Sequence, residues 1–327
     1  MDRLLRNRRV LVTGGAGFIG SNLTESLLDA GNEVVCLDNF STGKRENIRT
    51  FLSNKHYRLI EGDIRNYEDC VKAVTGIDFV YHEAALGSVP RSIKDPVSST
   101  DVNIGGFVKM LFASKEAGVK RFIYAASSST YGDHPDLPKV EDKIGSPLSP
   151  YAITKYVDEL FADNFAKTYG IEVIGLRYFN VFGRRQDPDG AYAAVIPKFV
   201  KTLMKHEAPL INGDGSVSRD FTYIDNVIQA NHLSALVSDK AAINQVYNVA
   251  HGERTSLNQL FHLIREEASK LDDKISALEP EYGPFREGDI PHSLASIEKA
   301  KKMLGYRPSH NVEKGLREAV GWYWNNL

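Results

Sequence analysis

The sequence has few of the features that would place the protein in a specialised class. It contains two cysteines, Cys36 in a predicted strand and Cys70 in a predicted helix, so we expect buried, reduced thiols rather than a disulfide framework or a cysteine metal site. The net charge is −2, which gives no whole-protein field for nucleic acid or an anionic membrane. No apolar run approaches membrane length. We therefore predict no metal, no nucleic-acid partner and no membrane partner.

The composition is that of a soluble globular chain. A length of 327 residues corresponds to about two domains. Apolar residues at 42% and charged residues at 25% are ordinary values, which exclude disordered and fibrous classes. The first ten residues carry four arginines and no apolar segment before the first predicted strand. We therefore expect a cytosolic protein.

Short β-rich runs alternate with amphipathic stretches of helical length as far as Asn180. This alternation predicts an α/β fold with a doubly wound parallel sheet of the Rossmann type. After Asn180, loops rich in glycine, proline and aspartate separate shorter helical segments, which indicates a smaller, mixed α/β C-terminal lobe. We predict a first domain over 1–180, with a later segment near 220–250 returning to it, and a lobe over 181–327. Two helices are predicted over 96–117 and 151–169.

A glycine-rich turn, "VLVTGGAGFIG", places Gly14, Gly17 and Gly20 directly after a strand and at the start of a helix. Glycines at this spacing allow a tight turn, close approach of the backbone to a pyrophosphate and close helix packing. The free N–H groups at a helix start also attract phosphate. The segment therefore predicts a dinucleotide site.

Two acidic residues follow the next two strands. Asp38 lies eighteen residues beyond Gly20 and no arginine directly follows it, so its carboxylate suits the ribose hydroxyls of NAD and would repel the extra phosphate of NADP. Asp63, after the third strand, could meet the adenine edge. A turn residue that caps the next helix is an equal alternative for Asp63.

The segment "YAITK" places Tyr151 and Lys155 four residues apart on one predicted helix, and hence on one face. A neighbouring ammonium favours the phenolate form of a tyrosine, which is the form that can act as a general base. Such a pair is common on helix surfaces, but here it follows a dinucleotide fingerprint and the serine cluster "SSS". That order makes the pair a candidate catalytic centre.

With "DNFSTG", "GDIR", "HEAA", "RYFNVFG", "RDFTYIDN" and "REGD" also in order, the chain resembles the extended short-chain dehydrogenase/reductase family over nearly its whole length. Within it, the sequence is most similar to the nucleotide-sugar 4-epimerases. The resemblance implies a tightly held NAD that is reduced and reoxidised within one cycle, with hydride removed from C4 of a UDP-sugar and returned to its opposite face after the 4-keto sugar has rotated.

The resemblance also assigns residues. It implies that Tyr151 takes the proton from the 4-hydroxyl, that Lys155 holds the nicotinamide ribose, and that Ser127, 24 residues before Tyr151, relays the proton. It implies cofactor contacts from Gly14, Gly17, Phe18, Ile19, Gly20, Asp38, Asn39, Phe40, Ser41, Thr42, Gly43, Asp63, Ile64, Ala84, Ala85, Asn103, Tyr151, Lys155 and Tyr178. It implies substrate contacts from Gly87, Ser88, Ser127, Ser128, Ser129, Asn180, Ala194, Val195, Lys198, Asn212, Arg219, Arg286, Asp289 and Ser293.

The substrate is predicted from small residues. In epimerases of this type, the fourth residue after the aspartate of R-x-G-D is a gate beside the sugar C2 substituent, and it is Ser293 here. A small gate, with Gly87 and Ser88 nearby, agrees with an N-acetyl group, so the chain is most similar to UDP-N-acetylglucosamine 4-epimerases of surface-polysaccharide pathways such as O-antigen synthesis. UDP-glucose or UDP-N-acetylhexuronate 4-epimerisation is the alternative.

Other activities of the family are weaker interpretations. A dehydratase would be expected to carry Asp and Glu where this chain has Ser128 and Ser129, and a decarboxylase would need an acid and an arginine near Ser127. A non-enzymatic NAD-binding module would be expected to lack the serine, tyrosine or lysine. The resemblance also implies a homodimer through a four-helix bundle that uses the two predicted helices.

Overall fold

The computed structural model describes residues 3–189, 194–285 and 292–327. In these residues the strands are β1 Arg9–Thr13, β2 Glu33–Asp38, β3 Tyr57–Glu61, β4 Phe79–His82, β5 Arg121–Ser127, β6 Glu172–Tyr178, β7 Val181–Phe182, β8 Leu210–Asn212, β9 Ser218–Arg219, β10 Thr222–Tyr223, β11 Gln245–Val249, β12 Thr255–Ser256 and β13 Glu281–Gly283. The α-helices are α1 Phe18–Asp29, α2 Tyr67–Val74, α3 Val89–Lys94, α4 Pro96–Thr100, α5 Phe107–Glu116, α6 Pro150–Tyr169, α7 Val195–Met204, α8 Ile224–Leu236, α9 Leu257–Ser269, α10 Glu298–Leu304 and α11 Val312–Asn326.

Seven strands form one parallel sheet in the order β11, β6, β5, β4, β1, β2, β3. The six β-rich runs predicted from the sequence all lie in this sheet, and β11 joins it at one edge from late in the chain. The strand order reverses between β1 and β4. The loops that follow these two strands diverge there, which leaves a crevice at the carboxyl edge of the sheet.

Both faces of the sheet are buried, which explains why its strands are apolar without polar alternation. Val10 and Val12 of β1 pack into one cluster, and Leu11 between them packs into the other. Helices α1 and α8 contact the first face and each other, while α2, α5 and α6 contact the second. The predicted doubly wound α/β fold is confirmed.

The later part of the chain adds small sheets and helices to this frame. Strand β8 pairs with β13 in parallel and β9 pairs with β12 antiparallel. Helices α7, α9 and α11 pack on one another. These elements agree with the predicted smaller, mixed α/β part after residue 180. Within the described residues, no helix is long and apolar enough to cross a membrane.

The helix predicted over 151–169 is confirmed and begins one residue earlier. Ser149 accepts a hydrogen bond from the Ala152 N–H through its side chain, Pro150 is the first helical residue, and Gly170 ends the helix with a φ of 73°. Proline costs nothing at a first helical position, because its missing N–H would have no partner there. Glycine adopts the left-handed conformation that ends the helix without strain.

The helix predicted over 96–117 is confirmed over 96–116, but its middle is not α-helical. The structure has α4, then a π-helical turn over Asp101–Gly106, then α5. A Cβ at Gly106 would lie 2.6 Å from Ile64 Cδ1, so the chain passes closely against the loop after β3. The wider turn also carries Asn103, which is 1% exposed. Such turns are frequent at functional sites.

Both cysteines are buried and free, as predicted. Burial raises the pKa of each thiol to about 12, so both remain protonated and unreactive at neutral pH. Cys36 packs directly against the glycine-rich turn. A Cβ on Gly15 would lie only 2.5 Å from the Cys36 sulfur.

Candidate active site

The glycine-rich turn connects β1 to α1 at the crevice. Gly14 has a φ of 67°, and a Cβ there would lie 2.8 Å from the Ala84 backbone. A Cβ on Gly20 would lie 2.2 Å from the Gly14 carbonyl oxygen. Gly17 precedes α1 and provides no side-chain cap, so the first N–H groups of this helix remain available to an anion.

Asp38 lies at the carboxyl end of β2 and is 6% exposed. Its two oxygens accept hydrogen bonds from the Ala16 N–H at 2.9 Å and the Phe40 N–H at 2.8 Å. Burial raises the pKa of Asp38, and the two backbone bonds oppose that rise. The carboxylate therefore ties the glycine-rich turn to the loop after β2.

Asp63 combines local bonds within its own turn with a place at the crevice. Its side chain accepts from the Arg65 backbone N–H at 2.8 Å and from Asn39 Nδ2 at 2.8 Å, while the residue also lines the crevice. The Arg65 guanidinium lies 2.7 Å away and lowers the pKa of Asp63 to about 2. The cap of α2 is Asn66 rather than Asp63.

The crevice is a cavity of about 330 Å³. Many of the predicted cofactor residues line it, and Gly87 lies at one end. These cofactor residues are Gly14, Gly17, Phe18, Ile19, Gly20, Asp38, Asn39, Ser41, Thr42, Asp63, Ile64, Ala84 and Ala85. Five lining residues were not predicted: Leu37, Gly62, Glu83, Leu86 and Val102. Among the described residues, the lining does not include the predicted Phe40, Gly43, Asn103, Tyr151, Lys155 or Tyr178.

Tyr151 and Lys155 lie in the first two turns of α6, which packs on β5. Lys155 is 3% exposed; its Nζ donates to the Ala125 carbonyl at 2.9 Å and lies 3.3 Å from Asp158 Oδ2. Burial alone would lower the pKa of Lys155, but Asp158 and Tyr151 more than offset this and the net shift is upward. Lys155 is therefore a fixed cation beside the predicted base.

Ser127 ends β5 and its hydroxyl is held by its neighbour. Ser127 Oγ accepts from the Ser129 N–H at 3.2 Å and from the Ser129 hydroxyl at 2.9 Å. These two bonds tie the Ser127 hydroxyl to the turn that follows β5. Ser129 was predicted to bind the sugar, but its hydroxyl contacts Ser127 in this structure.

Two buried polar side chains join helix α6 to the segment before it. Ser92 Oγ accepts the Tyr151 backbone N–H at 3.0 Å, and Asn103 Nδ2 donates to Thr154 Oγ1 at 3.1 Å. Asn103 Oδ1 also accepts the Leu86 N–H at 2.8 Å. Asn103 was predicted to contact the cofactor, whereas its observed bonds connect the loop after β4 to α6. Sequence patterns missed Ser92, because its partner is distant in the chain.

Glu83 was also missed, although it directly follows β4 at the crevice. Its Oε1 accepts the Tyr178 hydroxyl at 2.8 Å, and Asn231 Nδ2 donates to that hydroxyl at 2.9 Å. Its Oε2 is buried with no hydrogen-bond partner among the described residues. An acid at the carboxyl end of a strand beside the switch point was a signal that the sequence already contained.

Three predicted substrate residues converge around β9. Asn180 Nδ2 donates to the Asp220 carbonyl at 3.0 Å, and the Ser293 N–H donates to the Ser218 carbonyl at 3.1 Å. Arg219 lies between these two acceptors in β9. The predicted Ala194, Val195 and Lys198 lie at the start of α7, and Asn212 ends β8. The predicted Arg286 and Asp289 lie outside the described residues.

The chain is similar to known proteins over almost its whole length. A model of the family described as "NAD dependent epimerase/dehydratase family" matches residues 10–250. The chain belongs to this family. A putative UDP-glucose 4-epimerase of Methanocaldococcus jannaschii is 36% identical over 320 residues, which cover 97% of this chain and 99% of that protein.

Solved structures of the same family share the fold closely. A UDP-N-acetylglucosamine 4-epimerase from Methanobrevibacter ruminantium, in complex with UDP-N-acetylmuramic acid, has a TM-score of 0.91 and 39% identity, covering 99% of this chain and 100% of that chain. A UDP-glucuronic acid 4-epimerase from Bacillus cereus, with NAD and UDP-glucuronic acid, has a TM-score of 0.86 and 32% identity, covering 97% and 99%. The predicted resemblance to the 4-epimerases is confirmed.

The residues at the crevice fit the NAD of this family. The turn can pack this closely only with glycine, since a Cβ on Gly14 or Gly20 would collide with neighbouring backbone, and the first N–H groups of α1 have no side-chain cap. Asp38 places a carboxylate at the end of β2, where the ribose hydroxyls of a dinucleotide lie. When bound there, the diphosphate would lie against the turn and the adenosine towards Asp38 and Asp63.

Proposed function

We propose that this protein is an NAD-dependent UDP-sugar 4-epimerase that interconverts UDP-N-acetylglucosamine and UDP-N-acetylgalactosamine. One observation carries the proposal: Lys155, on the same helix face as Tyr151, bonds the Ala125 carbonyl of β5, the strand that ends at Ser127. Helix α6 brings Tyr151 and Lys155 against β5, and Ser127 ends that strand. An isomerase needs no further residue to remove a group from the sugar.

The chain's own groups supply the proton chemistry. When bound, NAD would supply reversible hydride transfer. Tyr151 takes the proton from the sugar 4-hydroxyl, and the Lys155 ammonium stabilises the phenolate that this role requires. Ser127 bonds the same sugar oxygen through its hydroxyl, which the Ser129 N–H holds in place. The 4-keto sugar must then rotate before the hydride returns.

The residues after Ser127 favour epimerisation over elimination. Elimination requires an acid to protonate the leaving hydroxyl, but Ser128 and Ser129 stand at those positions. Neither serine can act as an acid near neutral pH. The other sugar hydroxyls are therefore retained, and the reaction ends with inversion at C4.

The preference for an N-acetyl sugar is supported by a small gate on a fixed segment. The Ser293 N–H bonds the Ser218 carbonyl, and the Ala295 N–H bonds Asp220 Oδ2 at 3.2 Å. Asp220 is fully buried and also accepts the N–H groups of His251 and Gly252. The gate position is thus held from both sides, and a serine there leaves room for an acetamido group.

Two alternatives follow from the relatives. The Methanocaldococcus protein carries the name of a UDP-glucose 4-epimerase and the Bacillus protein acts on UDP-glucuronic acid. Either substrate lacks the N-acetyl group at C2. Comparing kcat/KM for the competing sugars decides among the three.

A homodimer remains a prediction. Its proposed surface is apolar: Ile93 is 64% exposed, Val97 is 77% exposed, and Ile153 and Leu160 of α6 are each about half exposed. Ile153 and Leu160 lie seven residues apart and thus on one face of the helix. Such an apolar surface suits a second copy of the chain, and sedimentation velocity would measure this directly.

The proposal predicts turnover without added cofactor. Pure protein mixed with UDP-N-acetylglucosamine should form UDP-N-acetylgalactosamine until both epimers reach equilibrium, because NAD is regenerated in each cycle. Separation of the epimers by chromatography measures this, with UDP-glucose and UDP-glucuronic acid tested in parallel. Faster conversion of either of these two would overturn the N-acetyl assignment, and conversion of none would overturn the proposed activity.

A further inference from the structure

Glu83 is a half-buried acid that lines the crevice after β4, on the other side of β1 from Asp38 and Asp63. Those two aspartates mark the adenosine end of a dinucleotide, so the segment after β4, next to the strand β5 that ends at Ser127, marks the nicotinamide end. Glu83 lines the crevice there. Burial raises the pKa of Glu83, and the Tyr178 hydrogen bond and the Lys155 ammonium oppose that rise.

The carboxyl group of Glu83 is incompletely bonded. Oε1 is held by the Tyr178 hydroxyl, but Oε2 is buried without a partner among the described residues. A buried, half-bonded carboxylate is costly, and a nearby positive charge relieves that cost. The oxidised nicotinamide ring carries such a charge, and the reduced ring carries none.

We propose that Glu83 makes the preference of this enzyme for oxidised over reduced cofactor depend on pH, by placing a titratable charge beside the nicotinamide end of the crevice. This rests on the placement of NAD in the crevice. Glu83 acts through its charge and through Tyr178, and the role is one of electrostatic tuning. It takes no proton from the sugar.

Apart from Asp158, the ionisable groups around Glu83 that are named here keep one charge state near neutral pH. From β4, burial keeps Tyr81 neutral by raising its pKa, and it lowers the pKa of His82 to about 3. From β6, burial raises the pKa of Tyr178 far above its ordinary value. From α6, Lys155 remains a cation, and its partner Asp158 has a pKa raised to about 7 by burial.

The direction of the pH effect follows from linkage. Burial raises the pKa of Glu83 to about 7. The cationic ring lowers the pKa of Glu83 in the oxidised complex relative to the reduced complex. The preference for oxidised cofactor is therefore weak at low pH and rises as Glu83 ionises. It levels off above the pKa that Glu83 has in the reduced complex. Each unit of difference between the two pKa values changes the ratio of affinities about tenfold.

The test measures which form of the cofactor the protein retains. The protein is equilibrated with a fixed mixture of oxidised and reduced NAD between about pH 6 and about pH 8, unbound cofactor is removed, and the bound ratio is read from absorbance. The bound ratio of oxidised to reduced cofactor should rise with pH about tenfold in the unmodified protein and stay flat in Glu83→Gln. Glu61→Gln, at the end of neighbouring β3 and paired with Arg45 at the surface, is the matched control and should keep the rise.

Several outcomes would overturn the inference. A rise that persists in Glu83→Gln would exclude Glu83 as its origin. A rise that disappears in Asp158→Asn but not in Glu83→Gln would assign it to the partner of Lys155. Tyr178→Phe keeps the Glu83 charge and removes only the hydrogen bond. If the rise with pH were lost in Tyr178→Phe but kept in Glu83→Gln, Glu83 would have only a structural role. Protein that binds neither form of NAD would instead refute the proposed function.

Discussion

Replacing Tyr151 with phenylalanine should reduce epimerisation by about 10²–10⁴-fold, the usual contribution of a general base. The change removes one hydroxyl and keeps the ring on α6. The fold should persist, because the contact of residue 151 with Ser92 is made by the backbone N–H. Steady-state assay of epimer formation measures the loss, and the cofactor content of the purified protein should stay unchanged.

The matched control is Tyr156→Phe, which makes the same chemical change on the same helix. Tyr156 lies five residues further along α6, so its side chain faces a different direction from that of Tyr151. This variant should retain activity close to that of the unmodified protein. A fully active Tyr151→Phe protein would remove Tyr151 from the role of base.

Placing tyrosine at position 293 should change which sugar is accepted. The Ser293 backbone is held against Ser218, and Asp220 holds the segment two residues later, so the new ring cannot be accommodated by an easy backbone shift. Forcing a bulky group into a filled site costs about 1–3 kcal/mol, which corresponds to a loss of about 10–200-fold in kcat/KM for the N-acetyl sugar. UDP-glucose, which lacks the acetamido group, should lose little.

The measurement is the ratio of kcat/KM values for UDP-N-acetylglucosamine and UDP-glucose. Ser293→Ala is the control, since it keeps the gate small and should leave the ratio close to its original value. Thermal denaturation first checks that the Ser293→Tyr protein is folded. If its ratio of kcat/KM values is then unchanged, position 293 is not the gate.

Local patterns predicted the features of this protein that depend on residues close in sequence. The alternation of apolar strands and amphipathic stretches predicted the parallel sheet. The spacing of Gly14, Gly17 and Gly20 predicted the tight turn, and the structure shows a positive φ at Gly14. The four-residue interval between Tyr151 and Lys155 was enough to predict a shared helix.

Contacts between distant residues could not be predicted in this way. Ser92 and Tyr151 are 59 positions apart, and Glu83 and Tyr178 are 95 positions apart. No local periodicity relates such pairs, because only the strand order brings them together. The π-helical turn before α5 also escaped prediction, since it depends on how closely Gly106 approaches Ile64.

The hydroxyl pair of Ser127 and Ser129 combines both kinds of information. The sequence placed three serines after β5 and the resemblance selected Ser127, but it assigned Ser129 to the sugar. The structure directs the Ser129 hydroxyl at Ser127, which a 3-10 turn over Ser128–Tyr131 makes possible. The contact between Ser127 and Ser129 depends on the conformation of that turn, which the identity of the residues alone does not predict.

We expect C4 of the sugar to lose a hydride and to regain the same one on its opposite face. UDP-N-acetylglucosamine with deuterium at C4, incubated with the pure protein in ordinary water, tests this expectation. The product should be UDP-N-acetylgalactosamine that keeps its deuterium at C4, as read by mass spectrometry and NMR. Product that has exchanged the deuterium for solvent hydrogen would contradict it.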